Sequence, residues 1–128
     1  MSGAGARVRT GPVVSGGPVT IGSMNEIKPN TLADDAVVLD VREPSEFSAG
    51  HAENAIHIPL GTLPARVNEL PTVEGPLPII CRSGGRSGQA TAWLEAQGIA
   101  AVNVDGGMLA WQNAGKKMVA EEGDPSVL

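Results

Sequence analysis

The sequence predicts an α/β domain of three layers, in which a five-stranded, mainly parallel sheet carries helices on both faces. Two observations predict it. Short apolar runs, often β-branched, alternate along the chain with segments of helical spacing. Strands that alternate with helices pair in parallel, and the crossing helices cover both faces of the sheet. The run Val37-Val38-Leu39-Asp40-Val41 is also nearly continuous rather than alternating, as expected of a strand buried on both sides. With 128 residues, 41% of them apolar, the chain suits one domain around one core.

The elements follow in order. Residues 1–23 contain no acidic residue and are rich in Gly, Pro, Ser and Val, so this stretch reads as a flexible arm. Two origins stay open for it. Gly22-Ser23-Met24 has the form of a cloning scar before a start at Met24, while Val13-Val14 and Val19-Thr20-Ile21 are each able to supply an edge strand. The domain proper is placed over residues 24–128.

Asn25-Glu26-Ile27 is a short first strand and Val37 to Val41 the second. Pro44 to Ala49 is a turn or two of helix, with proline at a favoured early position. Ala55 to Ile58 is the third strand, ended by Pro59. Leu63 to Leu70 reads as a short helix, and Leu77 to Ile80 as the fourth strand. Ser87 to Gln97 is the best-defined helix: Ala90, Trp93, Leu94 and Gln97 share one face at helical spacing. Gly98 supplies its C′ position and Ile99 an apolar contact beyond it. Ala101 to Val104 is the fifth strand and Gly107 to Ala114 the last helix.

Composition narrows the function classes. Aromatic residues make up only 2% of the chain, and the net charge is −5. That balance argues against nucleic acid and against anionic membrane surfaces as partners. No apolar run approaches the ~18 residues of a membrane span, and no secretory apolar segment opens the chain. One cysteine cannot form an internal disulfide. With two histidines and no second thiol, a metal site is not expected. Together these features point to a cytoplasmic protein without a cofactor.

The chemistry concentrates at Cys81-Arg82-Ser83-Gly84-Gly85-Arg86-Ser87. A cysteine at a strand end, in a glycine-bearing loop that opens a helix, has backbone N–H groups directed toward its sulfur. The helix N-terminus adds partial positive charge, and Arg82 and Arg86 add full charges. All three favour the thiolate, which is the nucleophile. Gly84 and Gly85 let the backbone turn sharply and aim N–H groups inward. Ser83 and Ser87 offer hydroxyl donors, and Ser87 is also placed to cap the helix. Small residues at 83 to 85 suggest an open pocket mouth. The strand order puts Cys81 at the carboxyl end of a strand, where ligands of such sheets sit.

This loop resembles the active-site loop of the rhodanese family of sulfurtransferases. Asp40-Val41-Arg42-Glu43-Pro44-Ser45-Glu46-Phe47 with Gly50-His51 is similar to that family's first signature. Asn54 to Pro59 resembles the segment that continues it. Asp105-Gly106-Gly107-Met108-Leu109-Ala110-Trp111 resembles the C-terminal signature. The four segments fall in family order across roughly residues 26 to 118, about three-quarters of the chain. The resemblance implies a two-step cycle. Cys81 would take a sulfane sulfur from an anionic donor such as thiosulfate and become a persulfide. It would then pass the sulfur to cyanide, a thiol or a sulfur-carrier protein. Arg82, Ser83, Gly84, Gly85, Arg86 and Ser87 would bind the donor and stabilise the persulfide.

Other residues divide between chemistry and structure. Asp40 and Arg42 lie on one face of a strand and are candidates for the pocket rim, or for a hydrogen-bonded pair bracing the loops. Arg86 is either a donor-binding group or a loop strut. A Cys/His pair would suit a thiol hydrolase, but sulfur transfer through a stabilised thiolate needs no base, so His51 and His57 are read as structural. Gly106, Gly107 and Trp111 are read as packing, with the indole N–H finding an acceptor. Two other functions remain. Phosphatases and arsenate reductases on this fold resemble rhodaneses, but place an arginine after five intervening residues; here only four separate Cys81 from Arg86. A non-enzymatic binding module is the other, against which stands the intact cysteine loop.

Overall fold

The structure, a computed structural model, describes residues 25–128. The arm expected over residues 1–23, with its Val13 and Val19 segments, lies outside the described residues. Among the described residues there are seven strands: β1 Glu26–Ile27, β2 Val38–Asp40, β3 His51–Ala52, β4 Ala55–His57, β5 Leu77–Ile80, β6 Ala101–Val104 and β7 Met118–Val119. The α-helices are α1 Pro44–Ala49, α2 Gly85–Ala96 and α3 Gly107–Asn113. Five strands form one sheet in the order β1-β6-β5-β2-β4. Every pairing within it is parallel, with Leu39 opposite Ile79 and Leu77 opposite Ala101.

Alternation along the buried strands feeds two separate cores. Leu39, Val41, Leu77, Ile79 and Cys81 turn to one face, where Ala90 and Leu94 of α2 cover them. Val38, Ile80 and Val104 turn to the other, against Met108 and Trp111 of α3. These are the outer layers of the expected three. Trp111 is fully buried, and its indole N–H donates to the Lys117 carbonyl at 3.0 Å.

Helix ends obey local chemistry. Glu43 and Glu46 form a reciprocal capping box at the start of α1, with proline in its first turn. At the other end of α2, Gly98 has φ +84°. Its N–H donates to the Glu95 carbonyl, and that of Ile99 to the Leu94 carbonyl. This is the Schellman pattern, closed by the contact of Ile99 with the core that contains Leu94.

Three expectations are corrected, and one pairing is new. The helix expected from Leu63 to Leu70 is two 3-10 pieces, Leu60–Ala65 and Val67–Glu69. The first begins upstream of Leu63, which puts Pro64 in its interior, and proline has no N–H to continue a ladder. The long helix begins at Gly85 rather than Ser87. Gln97 is exposed at the C-cap, not on the buried face; Thr91 and Ser87 are buried instead. The small antiparallel pair β3–β7, with His51 opposite Val119, was not expected. It ties the segment after α3 back beside α1, where the Glu121 and Ser126 N–H groups donate to the Ser48 and Ala49 carbonyls.

Candidate active site

Cys81 follows β5 at the carboxyl end of the sheet's middle strand. The chain then turns through Arg82, Ser83 and Gly84 into α2. Gly84 is the N-cap, at φ +113° and ψ −13°. Such a conformation admits glycine without strain, and it turns the Gly84 N–H toward the sulfur, 3.1 Å from Cys81 Sγ. The Ser87 hydroxyl, one turn into the helix and fully buried, lies 3.2 Å from the same sulfur. Burial pushes the Cys81 thiol up. The Ser87 hydroxyl and the backbone N–H groups of Ser87, Gly84 and Ser83 outweigh it and hold the thiol below its ordinary value.

A second set of hydrogen bonds anchors the loop from behind. The N–H groups of Met108 and Leu109, in the first turn of α3, donate to the Cys81 and Arg82 carbonyls at 2.8 and 3.0 Å. Carbonyls held outward in this way leave the loop's own N–H groups facing the sulfur. The approach is close enough that a Cβ on Gly107, itself at φ +59°, would meet the Cys81 carbonyl oxygen and lie 2.6 Å from the Arg82 carbonyl carbon. Packing was expected of Gly107, and its backbone packs directly against the Cys81 loop.

The arginines part company. Arg82 and Ser83 are exposed. The Arg82 Nε donates to the backbone oxygen of Leu128 at 2.6 Å, and its side chain stands outside the sulfur. Arg86 is bound to Glu46 of α1 through both terminal nitrogens, at 2.8 and 2.9 Å. Hydrogen bonding to Arg86 holds the Glu46 carboxyl down at about 2, against an upward push from burial. Arg86 is therefore placed as a strut between α2 and α1, its guanidinium already satisfied by a carboxylate.

Of the two readings of Asp40 and Arg42, the structure has the hydrogen-bonded pair and not the pocket rim. Both are at 0% exposure. The Arg42 Nε and Nη2 donate to the Asp40 carboxylate at 2.9 and 2.7 Å, and Nη2 also reaches the Gly50 carbonyl at 2.8 Å. A charged pair placed on one face of a central strand is buried with it. Mutual bonding offsets part of that desolvation, while Arg42 Nη1 is buried without a partner among the described residues. The open mouth expected from small residues at 83 to 85 is corrected too, since Cys81 is 1% exposed while the loop around it is not.

The histidines take no part at the sulfur. His51 and His57 each stack on the Phe47 ring, with centroids 3.7 and 4.3 Å from its own. A nitrogen of each donates to a backbone carbonyl, of Phe47 and of Arg42 respectively. Among the described residues, no three His, Cys, Asp or Glu side chains gather as metal ligands. No helix there is long and apolar enough to cross a membrane.

Asn103 belongs to the site and was missed. It is 2% exposed on β6, and its Oδ1 accepts the Ser87 hydroxyl at 2.6 Å. The available signal was a single amide in the apolar run Ala101 to Val104, since a polar side chain buried in a strand needs a partner.

Comparisons with known proteins agree with this geometry. A family model described as a Rhodanese-like domain matches residues 23–114. A sulfurtransferase of Allochromatium vinosum is 37% identical over 107 residues, 78% of this chain and 99% of that protein. A rhodanese-related protein of Thermoplasma volcanium superposes with a TM-score of 0.67 at 32% identity, over 77% of this chain and 99% of that one. A Rhodanese-like domain protein of Staphylococcus aureus does so with a TM-score of 0.63 at 36% identity, over 73% and 97%.

Proposed function

This chain belongs to the rhodanese-like domain family, and from that premise we propose that it is a sulfurtransferase working through a persulfide on Cys81. The observation that carries the reading is the cradle of the sulfur. One backbone N–H at 3.1 Å and one hydroxyl at 3.2 Å converge on Cys81 Sγ at the head of α2. Such donors stabilise a negative sulfur whether it is a thiolate or a persulfide, as they would an oxyanion.

In the first step the Cys81 thiolate attacks the outer sulfur of a donor such as thiosulfate. The donor's S–S bond breaks and sulfite leaves with its electron pair. In the second, an acceptor attacks the outer sulfur of the persulfide, and Cys81 leaves as a thiolate. Cyanide, a thiol or a sulfur-carrier protein has the required nucleophilicity. Gly84, Gly85 and Ser87 shape and charge the cradle, and Ser83 contributes its N–H. Arg82, exposed beside the loop, draws the anionic donor. Arg86 keeps the loop in place through Glu46.

The test is sulfur transfer from thiosulfate to cyanide, run beside hydrolysis of an aryl phosphate. The native protein transfers sulfur and leaves the phosphate intact. Cys81→Ser, which is nearly isosteric, melts at a similar temperature and transfers none. Transfer retained in Cys81→Ser overturns the assignment. Phosphate turnover that disappears in Cys81→Ser would replace it with a phosphatase.

A further inference from the structure

Three side chains form a single file ending at the reactive sulfur: Cys81, Ser87 and Asn103. The Ser87 hydroxyl has one proton and two acceptors in reach, Cys81 Sγ at 3.2 Å and Asn103 Oδ1 at 2.6 Å. The orientation of the amide follows from its other contacts. Asn103 Nδ2 faces two groups that can only accept, the Gly84 carbonyl and a Glu26 carboxylate oxygen, each at 3.2 Å. The NH2 end must lie there, so the oxygen faces Ser87. Cys81, Ser87 and Asn103 are all at least 98% buried, so water does not readily replace whichever bond is given up.

We propose that Asn103 is a positioning residue that competes with Cys81 for the Ser87 hydroxyl proton and thereby sets how readily the thiol ionises. With Cys81 protonated, the S–H donates to Ser87 Oγ and the O–H donates to Asn103 Oδ1, so both bonds are made. When the sulfur loses its proton to solvent, the Ser87 hydroxyl turns to the thiolate and Asn103 Oδ1 loses its donor. A buried acceptor left without a partner carries a penalty, and that penalty falls on the thiolate alone. Asn103 thus works against the loop N–H groups and limits the thiolate they favour. Cys81 must be a nucleophile toward the donor and a leaving group toward the acceptor. The same hydroxyl swings to the sulfur each time Cys81 carries charge, and back when it is protonated. This inference rests on Cys81 as the reacting group.

The charged groups around the sulfur do not take part in this exchange of one hydroxyl proton, although the Arg86 and Cys81 charges attract each other. Arg86 on α2 is satisfied by Glu46 on α1, and Asp40 on β2 by Arg42. Asp105, ahead of α3, faces Lys28, and Arg82 points outward to Leu128. Glu26 on β1 reaches the site only through the Asn103 amide.

The test is a pH titration of the single thiol by its ultraviolet thiolate absorbance, in the native chain and in Asn103→Ala, Asn103→Val, Ser87→Ala and the Ser87→Ala/Asn103→Ala pair. Either Asn103 variant that melts cooperatively serves, and valine suits a strand between valines. Removal of Oδ1 frees the hydroxyl for the sulfur, so the thiol pKa falls by about half to one unit, the worth of one ordinary hydrogen bond. Ser87→Ala raises it, and in that background Asn103→Ala adds nothing. If Asn103 only props the loop through Gly84, its removal loosens the cradle and the pKa rises; that outcome overturns the proposal. So does a shift that persists without the Ser87 hydroxyl. The titration reads protonation, not transfer. A chain that takes up no sulfur from thiosulfate would refute the proposed function and leave this result standing.

Discussion

Arg86 and Glu46 join α1 to α2, the helix that the Cys81 loop opens. Both terminal guanidinium nitrogens of Arg86, in the first turn of α2, bond the two oxygens of Glu46 on α1. The Glu46 side chain is 16% exposed and that of Arg86 35%. The bidentate geometry fixes the orientation of α2 as well as its distance, and with it the position of the Ser87 hydroxyl.

That pair should dominate the acid response of the fold. The Glu46 carboxyl titrates at about 2 in the folded chain against 4.5 as its ordinary value. A depressed carboxyl stabilises the fold above its unfolded pKa, and the contribution disappears as pH falls through the folded one. Melting temperature should therefore fall between about pH 4.5 and pH 2 in the native chain, and less steeply in Glu46→Gln. Parallel melting curves for the two proteins across that window would show that the pair contributes no pH-dependent stability.

Gly107→Ala should damage the loop from outside it. The residue holds φ +59°, and the new Cβ would collide with the Cys81 and Arg82 carbonyls. Left-handed backbone and overpacking together cost about 2–4 kcal/mol. Urea denaturation should show that loss, with slower alkylation of Cys81 in the folded protein. Native stability in this variant would mean that the loop gives way freely.

Asp40→Ala should be the most destabilising single change at the site. It leaves the Arg42 guanidinium buried with only the Gly50 carbonyl as a partner. Breaking a buried pair from one side costs about 3–5 kcal/mol. An equilibrium unfolding curve checks it; a loss below about 1 kcal/mol would contradict the burial.

Arg82→Ala should act on substrate and not on fold. The side chain is exposed and, among the described residues, bonds only the Leu128 oxygen, so stability should stay within about 0.5 kcal/mol of native. The KM for thiosulfate should rise more than kcat falls, and a neutral persulfide donor should be less affected. Equal losses with both donors would make Arg82 a structural residue.

The strands and helices were legible because continuous apolar runs and helical spacing are local signals, and because Gly98 ends α2 as its position in the sequence implies. The reactive loop was legible for the same reason, as all its residues from Cys81 to Ser87 are contiguous. What escaped was long-range or depended on burial. The β3–β7 pair joins two-residue strands from distant parts of the chain, too short to show a pattern. Glu46 and Arg86 lie 40 residues apart. Asp40 and Arg42 were legible as a pair on one strand face, but whether they rimmed a pocket or braced the loops depended on their burial, which only the fold shows. Asn103 lay inside a run whose apolar neighbours defined the strand, and only the fold brings it to Ser87.

The central claim is that Cys81 carries sulfur, and the most direct measurement is the intact mass of the chain after treatment with thiosulfate. The native protein should gain the mass of one sulfur atom and lose it on addition of cyanide, while Cys81→Ser should gain nothing. An unchanged mass in the native protein, or the same gain in Cys81→Ser, would contradict the account.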